Sequence, residues 1–260
     1  MACADVTSAN VVGYTTLKIE SAYQIIGVNF QGVNGGSIKL NDAIPYQDGM
    51  TKAHKYAEAD QIQIGDDKGG WDTFFLSDGY NAKGKDYNPA LDETWASIFD
   101  PTAVTNKEIA AGQAFWYVRA DKTKPAFTIS IAGSVSTLPD ADYEFASRYR
   151  IFANPYATPL YLNESFPYDA VTMTKAHKYA EADQIQIGDN AGGWDTFFLA
   201  DGYNAKGKDY NPALDETWAS IFDPTTVTNA SIAVGKAAWY VRIDASKPPV
   251  QVKWTKPYDL

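Results

Sequence analysis

Apolar and polar residues alternate with a period of two along several short stretches of this chain. Residues 12–19, 24–30, 61–64, 72–76, 115–119 and 127–131 combine that alternation with β-branched or aromatic side chains, the pattern of strands with one buried face. Between them stand Gly35-Gly36, Asp66-Asp67-Lys68-Gly69-Gly70, Asp78-Gly79 and the polar stretch 81–92, all rich in turn-forming residues. Residues 51–59 break the pattern, and their Ala, Lys and Glu content predicts a short helix. Many short strands with Gly- and Asp-rich turns predict a mainly all-β chain of sandwich or closed-barrel form.

The pattern runs twice. Residues 50–119 return as residues 173–242 at an offset of 123, and nine of the 70 positions differ: Asp67/Asn190, Lys68/Ala191, Ser77/Ala200, Ala103/Thr226, Lys107/Ala230, Glu108/Ser231, Ala111/Val234, Gln113/Lys236 and Phe115/Ala238. Leading segments match more loosely, residues 23–27 with 149–153 and residues 39–46 with 161–168, and the closing strands share little. The expected organisation is two tandem, near-identical β-sandwich or barrel-like modules with a short helix in each. They span residues 11–137 and 138–260, after an N-terminal segment of residues 1–10. Identity that stops abruptly has two explanations: recent local copying, or flanks that lie at inter-module or inter-subunit surfaces and meet unequal neighbours. Any site inside the copied passage exists twice, so avidity enters the argument early.

With 260 residues, 45% of them apolar, the chain has enough material for two hydrophobic cores. Its net charge of -10 argues against non-specific binding to nucleic acid or an anionic membrane. No apolar run approaches the roughly 20 residues that span a bilayer, so membrane insertion is not expected. The one cysteine, Cys3, has no partner for an intrachain disulfide. Ala2-Cys3-Ala4 before Asp5 fits the small-x-small end of a secretory signal peptide, which predicts an extracellular or cell-surface protein.

Further motifs carry a resemblance. Ile151-Phe152-Ala153-Asn154-Pro155-Tyr156, Leu162-Asn163, the run Ala182 to Ile187 and Gly235-Lys236-Ala237-Ala238-Trp239-Tyr240-Val241 resemble a β-sandwich repeat module of secreted and surface proteins of Gram-negative bacteria. In the first copy Gly112-Gln113-Ala114-Phe115-Trp116 keeps the last of these motifs, while Val28-Asn29-Phe30 stands where an Asn-Pro-aromatic corner such as Asn154-Pro155-Tyr156 is expected. The resemblance implies an extracellular, non-catalytic accessory or surface role and assigns no ligand.

Chemistry-bearing residues are few. His54 and His177 are one position in two copies, with no nucleophile motif nearby, and their neighbours predict a solvated helix face. The adjacent carboxylates Asp92-Glu93 and Asp215-Glu216 would point to opposite faces of a strand, a poor acid/base couple. No enzyme is expected. Calcium is the one candidate cofactor, with Asp66, Asp86, Asn88 and Asp92 and their counterparts Asp189, Asp209, Asn211 and Asp215 as oxygen ligands. The sharper lead is aromatic: Trp71, Tyr80, Tyr87 and Trp95, repeated as Trp194, Tyr203, Tyr210 and Trp218, in or beside the most polar, Gly-rich stretch. Such rings suit a sugar platform, core capping or a protein contact. The expected function is a structural or adhesive surface protein whose partner is itself or another surface protein, with assembly into filaments. The alternative is a polysaccharide-binding protein using its duplicated aromatic loops.

Overall fold

The computed structural model describes residues 12–32, 35–65, 70–135, 140–189, 192–255 and 257, so the 137/138 boundary and Cys3 lie outside the described residues. Strands dominate, as the alternation predicts. The first copy contains β1 (Val12–Ile19), β2 (Tyr23–Gly27), β3 (Phe30–Gln31), β4 (Ile38–Lys39), β5 (Gln61–Gly65), β6 (Trp71–Tyr80), β7 (Tyr87–Ser97), β8 (Asp100–Val104), β9 (Glu108–Ile109), β10 (Ala114–Val118) and β11 (Phe127–Val135). The second contains β12 (Asp140–Phe145), β13 (Tyr149–Ala153), β14 (Leu160–Tyr161), β15 (Gln184–Gly188), β16 (Trp194–Tyr203), β17 (Tyr210–Ser220), β18 (Ser231–Ile232), β19 (Ala237–Val241) and β20 (Val250–Thr255).

Each copy is a sandwich. In the first, a sheet ordered β1-β11-β3 faces one ordered β2-β10-β5-β6-β7-β8; in the second, β12-β20 faces β13-β19-β15-β16-β17. Alternate residues of β11, Phe127, Ile129 and Ile131, point into one core with Ile62, Ile64, Phe74, Leu76 and Trp95 of the larger sheet. The second core is built the same way from residues of the second copy alone. No described helix is long and apolar enough to cross a membrane.

The two cores are filled by different routes. On neighbouring strands Phe115 stands opposite Ile26, whereas its counterpart Ala238 stands opposite Phe152. Likewise Ile19 faces Phe127, while Phe145 faces Val250. The phenylalanine has changed sides of the strand pair, so each pair keeps one large ring and its partner is the smaller residue, as a close-packed interior requires.

The expected helix over residues 51–59 is replaced by a single 3₁₀ turn, Tyr56–Glu58. The short helix of each module lies earlier, at Leu40–Ala43 and Leu162–Ser165. The reason is where the backbone donors go. Ala53 donates to the Leu76 carbonyl and Asp60 to the Thr51 carbonyl, while Thr51 donates to the Asp60 carboxylate. That carboxylate is a hub: Asp60, 1% exposed, accepts from the Thr51 amide (3.0 Å), the Ala120 amide (2.8 Å) and the Tyr117 hydroxyl (2.8 Å). Asp183 repeats it with Thr174, Ile243 and Tyr240.

The modules meet through the outer faces of their larger sheets. Gly27 donates to the Gly235 carbonyl (3.0 Å) and Ala153 to the Gly112 carbonyl (2.9 Å). Because Gly27 corresponds to Ala153 and Gly112 to Gly235, each bond is the image of the other, and the contact has pseudo-two-fold symmetry. Close approach needs small residues: a Cβ on Gly27 would stand 2.5 Å from the Lys236 carbonyl oxygen. Ile25, Ala114, Ala153 and Ala237 fill the contact, flanked by Trp116, Ile151, Trp194 and Trp239. Divergence at β2 and β13 therefore falls on the inter-module surface.

Candidate functional site

The structure separates the predicted aromatic set into three places. Trp95 and Trp218 are fully buried (0% exposed), with each indole donating to a main-chain carbonyl, Ile44 and Phe166 respectively. They hold the core and offer no face to a ligand, which corrects their assignment to a loop platform. Trp71 and Trp194 lie at the inter-module contact, where Trp194 meets Trp116 edge-on at 5.9 Å. Only the tyrosines stay together on the surface.

Tyr80 and Tyr87, 43% and 50% exposed, close the β6–β7 hairpin with ring centroids 5.0 Å apart. Tyr203 and Tyr210 repeat that separation. The connecting loop is ordered from within: the Asn81 side-chain oxygen accepts from the amides of Lys83 and Lys85, and its side-chain nitrogen donates to Asp86. Asn88 accepts from the Ala90 amide.

Behind the tyrosines sits a cation held by two acids. Lys52 reaches Asp92 at 2.8 Å and Glu93 at 3.0 Å, and the Tyr87 hydroxyl donates to the other Asp92 oxygen at 2.9 Å. Lys175, Asp215, Glu216 and Tyr210 do the same. Adjacent carboxylates share one partner because the β6–β7 register shifts between Leu76 and Asp78, with Glu93 in the left-handed region at φ 61°. A bulge re-aims side chains that a regular strand would send to opposite faces, so the expected divergence of Asp92 and Glu93 is corrected. Lys52 also lies over the Tyr46 ring at 5.6 Å. Lys52 and Tyr46 were not legible as site residues, since the one sat in an expected helix and the other outside the copied passage.

His54 is corrected too. It is half-buried, with Nδ1 3.2 Å from Asp78, and its ring lies against Gly84 of the hairpin loop. His177 and Asp201 repeat this at 3.3 Å.

The calcium ligands do not gather. Asp86, Asn88 and Asp92 are engaged by Asn81, Ala90 and Lys52 as described; Asp209, Asn211 and Asp215 follow suit, and Asp189 accepts from the Gly193 amide. Asp66 lies outside the described residues. Among the described residues no three acidic, His or Cys groups come close enough to hold an ion.

The Lys52 hydrogen bond holds the Asp92 carboxyl below its usual value, with a further contribution from Tyr87 outweighing partial burial. A carboxylate depressed in the folded state contributes stability above its unfolded value of about 3.9, lost as pH falls through the folded value. Acid titration should therefore loosen the hairpin below about pH 4. We expect tyrosine ring signals in NMR to report that step, and expect Asp92→Asn with Asp215→Asn to abolish it. An unchanged step in the double variant would remove these carboxylates as its cause.

No protein-family model matches the chain, and neither does any curated protein or solved structure.

Proposed function

We propose that this is a secreted or cell-surface, non-catalytic protein that acts by adhesion through two copies of one tyrosine-bearing surface. The observation carrying this reading is the duplicated hairpin. Tyr80, Tyr87, Lys52, Asp92 and Glu93 form an exposed, internally ordered cluster, and the second copy reproduces its arrangement. The longest unbroken identity between copies, residues 78–102 and 201–225, contains both tyrosines, the loop between them and all of β7 or β17. Exposed tyrosines backed by fixed charges give contact area at low entropic cost, which suits protein recognition. The resemblance carried by the Asn154-Pro155-Tyr156 corner supports an extracellular setting.

Assembly through copies of the inter-module contact is not favoured, because a two-fold contact uses the same patch on both partners and closes on itself. Filaments would instead run through the hairpins and through the tips beyond the far ends of β7 and β17, where Phe99 and Phe222 are 83% and 80% exposed. A polysaccharide partner is the second reading, favoured by the two tilted tyrosine rings beside acid and amide groups.

Sedimentation and electron microscopy over a range of concentrations, with binding to intact cells, test the proposal. Tyr80→Ala/Tyr87→Ala or Tyr203→Ala/Tyr210→Ala should weaken association, and all four together should lose more than either pair by at least about tenfold, as two linked sites require. A wild-type chain that stays monomeric and binds no cells, or a quadruple variant that behaves as wild type, would sink it.

A further inference from the structure

The pseudo-symmetric contact is closed on one side and open on the other. On the closed side Trp116 packs against Trp194. A Cβ on Gly188 would lie 2.6 Å from Ile25, and one on Gly192 would lie 3.2 Å from Ser21. On the opposite side Trp239 and Trp71, the counterparts of Trp116 and Trp194, both line an open cleft of about 650 Å³. There the Gly65 to Ile151 approach relaxes to 3.9 Å. Gly112, Gln113, Tyr143, Tyr149 and Arg150 complete its walls.

The residues that differ between copies account for the asymmetry. The cleft side carries Ala111 and Gln113 where the closed side carries the larger Val234 and Lys236. It also carries Arg150 where the closed side has Gln24. Gln24 is buried and donates to the Lys18 carbonyl at 2.8 Å. Arg150 is exposed and makes no ion pair among the described residues. The Arg148 guanidinium lies over the Tyr149 ring at 5.6 Å. An otherwise acidic chain thus places free positive charge beside exposed indole and phenol rings, in a space of ligand size.

We propose that this inter-module cleft is a single binding site for an acidic oligosaccharide, one whose sugars carry carboxylates. Trp71 and Tyr149 offer faces for the C–H surface of a sugar ring. Arg150 supplies the planar fork that matches a carboxylate, and Gln113 supplies an amide for hydroxyls. A nucleic acid would meet the same rings, but its affinity rests on neutralising many phosphates, and the cleft lining offers one cation, Arg150. The site is distinct from the duplicated hairpins, and it occurs once per chain.

Isothermal titration calorimetry of the full chain with oligogalacturonate and oligomannuronate, against neutral cello-oligosaccharides, tests it. The expected result is one site per chain and at least about tenfold preference for the acidic sugars, the worth of one charge-assisted carboxylate contact. Arg150→Gln, which installs the closed side's residue, should erase that preference. Trp71→Ala should weaken binding at least tenfold. Ala111→Val with Gln113→Lys should close the cleft and abolish binding, and both residues are already tolerated in the second copy, so the fold should survive. Tyr80→Ala/Tyr203→Ala should leave this binding unchanged, which separates its failure from that of the adhesive reading. No binding at millimolar sugar, two sites per chain, equal affinity for neutral sugars, or indifference to Arg150→Gln would each overturn the proposal.

Discussion

Asp60→Ala is expected to destabilise the protein by about 3–5 kcal/mol, measured as the fall in urea unfolding free energy. The carboxylate is almost completely buried and accepts from Thr51, Ala120 and Tyr117. Alanine removes both acceptor oxygens while leaving the three donors inside, and each orphaned donor costs about 1–3 kcal/mol. Those three bonds also join the 51–60 segment to the end of β10, so their loss frees the cover over Phe75 and Ala96. Tyr117→Phe deletes one donor along with its bond and should cost only about 1 kcal/mol. A cost below 1 kcal/mol for Asp60→Ala would show that water replaces the carboxylate.

Phe115→Ala is expected to cost about 3–5 kcal/mol, although alanine is the native residue at the same place in the second copy. The difference lies across the strand. Ala238 is tolerated because Phe152 stands opposite it, whereas Phe115 has only Ile26 opposite. Ile26→Phe alone should overpack the first core by about 1–3 kcal/mol. Combined with Phe115→Ala it should recover a favourable coupling of about 1–3 kcal/mol, because the pair shares one volume. Denaturant unfolding of both singles and the double closes the cycle. Strict additivity would mean that the cavity is filled from elsewhere.

Strand placement was legible because period-two alternation reports one buried face directly, as in β1, β11 and β20. Residues 51–59 misled because helix propensity is a weak local preference, overridden here by bonds to Leu76 and Asp60 that only the tertiary fold creates. Of the aromatic candidates, Tyr80 and Tyr87 lie together on the surface, but Trp95 was not recognisable as core. Its position near a polar loop says nothing about the bulge that turns the strand inward beside it. That bulge has no sequence signature beyond Glu93 itself, a residue not favoured at positive φ. The inter-module cleft was illegible for a related reason. It is assembled from residues far apart in sequence, and it is shaped by Ala111 and Gln113, which look unremarkable until their counterparts are seen filling the other side.

Two nearly identical passages in one chain invite the wrong strands to pair while the chain folds. The exchanged volumes at Ile26/Phe115 and Phe152/Ala238 guard against that. If β2 annealed to β19, Ile26 would face Ala238 across a void; if β13 annealed to β10, two phenylalanines would compete for one space. Ile19/Phe127 and Phe145/Val250 repeat the test at the opposing sheet. The divergent strands thus act as address labels, telling each copy of a duplicated message which half of the chain it belongs to.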